Sequence, residues 1–246
     1  MTTRRIFRIT GRDSRDFLQG LVTNDVGKLA QGLVYAALLT PQGKYIADFF
    51  LAPDAPDDAV LLDVAAPLAD DLLKRLRMYK LRADVDIAES GLNLQRGTGP
   101  APAGAWPDPR HEALGWRAYS AAPESDDGSD WDAIRVAHCI PESGIELTPD
   151  SYILEAGFDR LNGVDFRKGC YVGQEVTARM RHKTELRKGF VRVRVEGDAG
   201  PGAGITSGGK PAGTLHTRAG DTAIAYLRFD RAGGDMQAGD ATLRRI

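Results

Sequence analysis

Cysteine is almost absent from this chain, with only Cys139 and Cys170 in 246 residues. So small a number excludes a disulfide scaffold at this length and agrees with a reducing compartment. Histidine is scarce as well: His111, His138, His182 and His216 are scattered, and no pair of them stands at zinc-site spacing with a cysteine. A protein-only metal cage is therefore not expected. Long apolar runs are missing too, since the best, residues 33–39, falls far short of the roughly 18 residues needed to cross a membrane. The N-terminus, MTTRRIFRITGRD, lacks the apolar block of a secretory signal. These absences lead to the expectation of a soluble, cytoplasmic protein with no membrane partner.

An overall charge bias is also lacking, because 32 Lys and Arg against 34 Asp and Glu leave a formal charge of −2. The balance is local, however. Residues 167–194 hold nine basic side chains against two acidic ones, a charge of +7 in 28 residues, so the remainder carries −9. Clustering of this kind suits an anionic ligand, a nucleic acid or an acidic partner, and equally a solvated basic face. With 42% hydrophobic and 27% charged residues the chain can bury a sizeable core. Its length fits one large domain or two smaller ones.

Residues 4–10 (RIFRIT from Arg5) alternate like a strand, and Asp13 or Ser14 then caps a short helix whose Phe17, Leu18 and Leu21 share a face. Residues 33–40 and 44–51 read as two strands joined by Pro41, Gln42 and Gly43. A third strand covers 60–64. Pro67 suits a first helical turn, followed by Leu68, Leu72, Leu73, Leu76 and Tyr79 at helical spacing. Residues 83–88 return as a strand. Four prolines and three glycines in 97–110 indicate a flexible surface loop, and Ser129 is placed to cap a helix ending near His138. Residues 188–246 hold twelve of the 28 glycines between short alternating runs, as in a small β-barrel. The expected division is therefore 1–187 and 188–246.

The most specific segment is RKGCYVGQEVTARMR, residues 167–181. Gly169 and Gly173 bracket Cys170 and Tyr171, allowing a tight turn and close approach to another group, and Gln174 and Glu175 open a helix. A thiol just before a helix N-terminus and beside Arg167 and Lys168 would be held toward thiolate. By spacing alone, a buried inert cysteine in a tight turn fits as well.

KGCYVGQE (168–175) followed by Arg179 resembles the signature of the YgfZ-type folate-binding proteins, relatives of the glycine-cleavage aminomethyltransferase. FLQGLVTND (17–25), LLTPQGKYIADFFL (38–51) and TPDSYILEAGFD (148–159) resemble segments of that superfamily in the same order. The resemblance implies an α+β tetrahydrofolate-binding body around a central channel, with a small C-terminal β-barrel. It also implies a role in assembly or repair of iron-sulfur clusters in client enzymes, with iron-sulfur client or assembly proteins as partners. Carried over by residue, Cys170 is the functional thiol, and Lys168, Gly169, Tyr171, Gly173, Gln174, Glu175, Arg179 and Asp48 are its motif and folate-binding frame. Cys170 is also a candidate for transient cluster contact, since two cysteines cannot supply the roughly four ligands a cluster takes.

The chain departs from the aminomethyltransferase pattern. Its hairpin reads Ala47 and Asp48 where that enzyme has paired aspartates, and the enzyme's tyrosine-threonine-glycine-glutamate run has no counterpart. The fold is thus expected to be transferase-like without aminomethyl transfer as its leading chemistry. A folate-dependent one-carbon transferase and an RNA-associated factor using the basic stretch stay open as alternatives. Asp48 reads equally as a pterin acceptor or an exposed strand residue, Arg179 and Arg181 as cations for a folate tail or a solvated face, Tyr79 as helix packing, and Asn24 and Asp25 as a turn.

Overall fold

The computed structural model describes residues 3–54, 58–183 and 185–246, with Lys183 by its backbone alone. Two compact units are present, one formed by residues 1–129 and 159–176, the other by 130–158 and 177–246.

The first unit is built on a five-stranded sheet. Its strands are β1 (Arg4–Thr10), β2 (Val34–Leu39), β3 (Tyr45–Asp54), β4 (Ala59–Ala65) and β5 (Asp86–Glu89), in the order β2-β3-β4-β1-β5. All neighbouring pairs are antiparallel. Every residue of β4 is buried, which requires cover on both faces. Val60, Leu62 and Val64 point into the main core with Phe7 and Ile9 of β1, where helix α2 (Ala66–Lys80) packs Ala69, Leu72, Leu73 and Leu76. Leu61 faces the opposite side with Ile6, Ala52 and Leu94. That second face is covered by a four-stranded sheet of β6 (Asn93–Gly97), β7 (Trp106–Pro107), β8 (Trp116–Ser120) and β9 (Ser125–Asp126), ordered β7-β8-β6-β9.

This second sheet is the element that residue patterns concealed. Residues 98–104 are exposed as a surface loop should be, but Trp106 and Pro107 pair with β8, and Asp108 is buried. A two-residue edge strand tolerates proline because it needs so few ladder donors. Other boundaries shift for local reasons. The fifth strand begins at Asp86 rather than 83 because Val85 N–H closes a turn onto the Ala83 carbonyl. Helix α1 (Ser14–Gln19) has no side-chain cap, since the Asp13 carboxylate accepts from the Asp84 N–H instead.

In the second unit, helix α3 (Trp131–His138) is capped by Asp130, not Ser129: the Asp130 carboxylate accepts from Ala133 N–H at 2.9 Å. Helix α4 (Gln174–Lys183) leads from the first unit's sequence into the second. A closed barrel follows, made of β10 (Lys188–Glu196), β11 (Gly204–Ser207), β12 (Lys210–Ala219), β13 (Thr222–Arg228), β14 (Met236–Ala238) and β15 (Ala241–Arg245), in the order β10-β13-β12-β11-β14-β15. Alternation along β13 sends Ala223, Ala225 and Leu227 into the barrel core, while Ile224 packs outward on Val136 and Cys139 at the end of α3.

Candidate functional site

Three segments singled out in the sequence meet in the first unit: residues 17–25, the β2–β3 hairpin and the 168–175 loop. The hairpin turn is formed by Gly43 N–H donating to the Thr40 carbonyl at 2.8 Å. Gly43 has φ +74° and Gly173 φ +83°. A Cβ on Gly173 would lie 2.7 Å from the Thr40 carbonyl oxygen and 2.9 Å from Leu39 Cβ, and one on Gly43 would lie 2.8 Å from Val176 Cβ. Both positions thus need glycine, for backbone angle and for space. The motif loop docks on the hairpin turn through them. Gly169 has open space around it, so its place in the motif is not explained by crowding.

Lys168 anchors the other end of the loop. Its side chain is buried, and its ammonium donates to the carbonyls of Gln19, Val22 and Asn24 at 2.7, 2.6 and 3.1 Å. It also lies 5.3 Å from the Tyr171 ring centroid, a cation–π contact within a buried pair. Burial lowers the Lys168 pKa to about 8, with Asp25 and Asp165 opposing the shift. The expectation that this cation serves the neighbouring thiol is corrected here, because its three N–H bonds are turned inward onto carbonyls. Asp165, at the base of the loop, accepts from Lys28 Nζ at 2.7 Å and from Arg167 N–H at 2.7 Å. The Lys28 hydrogen bond leads in holding its carboxyl below the usual range.

Cys170 stands at the exposed crest of this loop, whereas Cys139 is buried. Tyr171 beneath it is buried, and the Gln174 N–H donates to the Tyr171 carbonyl at 3.2 Å as α4 begins. Gln174 Nε2 reaches the Gly169 carbonyl at 3.5 Å. Glu175, Arg179 and Arg181 are on the exposed side of α4.

Asn24 is more than a turn residue. It is buried, its amide donates to the carbonyls of Tyr35 at 2.8 Å and Asn162 at 2.7 Å, and its Oδ1 accepts from Asp25 N–H and Lys28 Nζ. Thr23 likewise donates to the Gly163 carbonyl at 2.7 Å and accepts from Ala37 N–H. The 17–25 segment is therefore the socket that joins the hairpin to the stretch leading into the cysteine loop.

Asp48 is not an exposed strand residue. It is 3% exposed, and accepts Tyr45 Oη–H at 2.5 Å on one oxygen and Tyr35 Oη–H at 3.0 Å on the other. Burial, with the Asp48 charge behind it, raises the Tyr35 pKa well above its ordinary value. Tyr79 is partly buried against the main core, in keeping with packing.

Beside Asp48 lies a buried ionic network that the sequence reading missed. Asp63 accepts from Arg4 Nε and Arg117 Nη2, both at 2.6 Å, and from Tyr119 Oη–H at 3.0 Å. Arg110 pairs with Asp108 at 2.8 Å, and the guanidinium carbons of Arg110 and Arg117 lie 4.8 and 3.9 Å from the Phe50 ring centroid. Burial works against the Asp63 charge, yet Arg4 and Arg117 outweigh it and hold the carboxyl at about 2. The signal was present: an aspartate inside the apolar run AVLLDVA must find a buried cation.

Along its whole length the chain superposes on the glycine cleavage system aminomethyltransferase T from Bartonella henselae, with a TM-score of 0.78 at 14% identity, covering 83% of that chain. The chain has the aminomethyltransferase fold. Residues 187–246 match the family described as CAF17, C-terminal beta-barrel domain. Its sequence is similar to proteins named iron-sulfur cluster assembly factor IBA57 homolog, mitochondrial. The Neurospora crassa protein is 34% identical over 76% of this chain and 51% of its own length, and the Mycosarcoma maydis protein 32% identical over 76% and 54%. The chain thus spans about half the length of these relatives. The mouse iron-sulfur cluster assembly factor IBA57, mitochondrial, is 29% identical over 95% of this chain and 78% of its own. These relatives overturn the cytoplasmic placement expected above, since they are named as mitochondrial proteins. No helix among the described residues is long and apolar enough to cross a membrane.

Proposed function

We propose that this chain is a tetrahydrofolate-binding accessory factor of the YgfZ type for assembly or repair of iron-sulfur clusters, with Cys170 as its working thiol. The observation that carries the reading is the contrast between the two cysteines: Cys139 is buried, whereas Cys170 is exposed on a loop pinned by Lys168 and docked through Gly173. A thiol held out on a fixed frame can reach a cluster or a partner's thiol, which a packed cysteine cannot. Similarity to proteins named iron-sulfur cluster assembly factors supports the same role. The cluster is cargo in this reading. Cys170 supplies one thiolate ligand, and a client or assembly protein supplies the rest of the roughly four.

Tetrahydrofolate suits the residues around Asp48 in chemistry. Asp48 is a buried acceptor flanked by two phenols, and a carboxylate is the kind of group that reads the N–H donors of a pterin edge. When bound, the folate would supply a one-carbon carrier; this chain's part is to hold and orient it.

Calorimetric titration with tetrahydrofolate tests the folate half. Binding is expected in wild type and in Cys170→Ala, and about tenfold weaker in Asp48→Asn, where the acceptor pair is lost. No heat of binding with wild type removes the folate reading. The thiol half is tested in cells lacking the native protein, where Cys170→Ala is expected to leave cluster-dependent enzymes inactive. Full restoration of those enzymes by the variant refutes the role of the thiol.

A further inference from the structure

The second unit holds a cavity of about 150 Å³ that shares no residue with the cysteine loop. That is below the range of drug-sized ligands and leaves room for an ion of a few heavy atoms. Three aromatic rings line it: Phe190 from β10, Tyr226 from β13 and His216 from β12. Phe190 stands at the centre, 5.1 Å from the Tyr226 ring and 5.4 Å from the His216 ring, tilted 55° and 72° to them.

The placement of His216 arises from a defect in the barrel. Between Leu215 and Arg218 the pairing of β12 with β13 slips, so that strict alternation is broken at His216 and Thr217. A bulge of this kind re-aims side chains. Here Thr217 turns to donate from Oγ1 to Glu146 at 2.5 Å, while His216 goes to the cavity wall beside Phe190. Among the described residues the His216 imidazole makes no hydrogen bond, so its nitrogens are left to whatever enters. Burial holds its pKa below the ordinary value, with Glu146 opposing, which keeps the ring neutral at physiological pH.

The charged residues lining the cavity are carboxylates only. Glu146 forms part of the wall with its side chain fully buried and bonded to Arg135 and Thr217, and Asp150 stands at the exposed rim. Among the described residues no lysine or arginine lines the space. Aromatic faces are electron-rich, and a carboxylate beside them adds to the same field. The Arg135 cation behind Glu146 is shared with Asp132 and Glu142, so the local balance stays acidic and disfavours anions such as phosphate or a folate tail.

We propose that this cavity is a binding site for a small organic ammonium ion, held against Phe190 and Tyr226, with His216 as a neutral hydrogen-bond partner and Asp150 at the entrance. The ligand class is set by the cage of rings and the sign of its charges. The site goes beyond the folate and cluster reading and does not depend on it.

Titration of n-butylammonium chloride into the full chain, followed by the His216 ring-proton resonances at constant ionic strength, tests the assignment. Sodium butyrate and n-butanol serve as the anionic and neutral arms. A saturable His216 shift is expected with the ammonium ion, at an affinity about tenfold above either comparison, the size of a desolvated cation–π contact. Phe190→Leu is expected to weaken it about fivefold or more. Asp150→Asn, on the exposed rim, is expected to weaken it as well. An unmoved His216, or equal shifts with butyrate or butanol, overturns the proposal. So does unchanged ammonium affinity in a folded Phe190→Leu variant or in Asp150→Asn.

Discussion

Lys168 Nζ donates to the Val22 carbonyl at 2.6 Å, joining residues 146 apart in sequence. Together with the bonds to Gln19 and Asn24, this contact converts a glycine-rich loop into a fixed platform for Cys170. The cation is structural at the point where the sequence suggested an activator of the thiol.

Lys168→Met is therefore expected to leave three inward-facing carbonyls without their donor. The cost is about 2–4 kcal/mol, as for a buried charged group removed from its partners. Urea unfolding reads the stability, and the rate of Cys170 alkylation by iodoacetamide is expected to rise as the loop loosens. An unchanged midpoint and rate would show that the loop is held elsewhere.

The same residue gives a pH signature. Burial takes the Lys168 pKa from an ordinary 10.5 to about 8 in the folded protein. Between those values the unfolded chain binds more protons than the folded one, so this group favours folding increasingly as pH rises through that window. Its contribution is complete above 10.5 and lost as pH falls through 8. The stability difference between wild type and Lys168→Met should grow in favour of wild type from pH 8 to 10; a flat difference contradicts the shift.

Gly173→Ala places a methyl group 2.7 Å from the Thr40 carbonyl oxygen at φ +83°. A cost of about 2–4 kcal/mol is expected from strain and overlap. Gly169→Ala, with nothing within 4 Å of the new methyl group, should change stability by less than about 0.5 kcal/mol. Thermal denaturation of the two variants side by side checks the contrast, which disappears if the loop does not dock on the hairpin turn.

Acid tests the buried network. Burial opposes the Asp63 charge, but Arg4 and Arg117 bring its pKa from 3.8 to about 2. The carboxylate thus contributes stability that is complete above 3.8 and lost as pH falls through 2. The shift corresponds to about 2 kcal/mol. Asp63→Asn should lose most of this acid-dependent part, measured by chemical denaturation between pH 5 and pH 2, while being less stable than wild type at pH 7.

Thiol chemistry separates the two cysteines directly. In the native protein, iodoacetamide followed by mass spectrometry should label Cys170 first and Cys139 only on unfolding, because Cys139 is packed at the end of α3 with Val136 and Ile224. Equal labelling of both in the folded state contradicts the arrangement.

Residue patterns alone determined much of this protein. Alternation in 4–10, the short strand run at 60–64, the Pro-Gly hairpin turn, the leucine spacing of α2 and the glycine-rich barrel are local signals that survive folding, because each arises from neighbours in sequence. The special character of 168–175 was legible for the same reason, since two glycines around a cysteine free the backbone for a tight turn and close approach. Tertiary structure alone decided the rest. Whether Lys168 faces the thiol or the carbonyls, whether Asp48 is exposed or held by two tyrosines, and that Asp108 in the proline-rich segment is buried against Arg117 depend on partners away in the chain. The direction of a charged side chain is set by the charges and carbonyls that burial brings to it, and a sequence read in order does not place those beside one another.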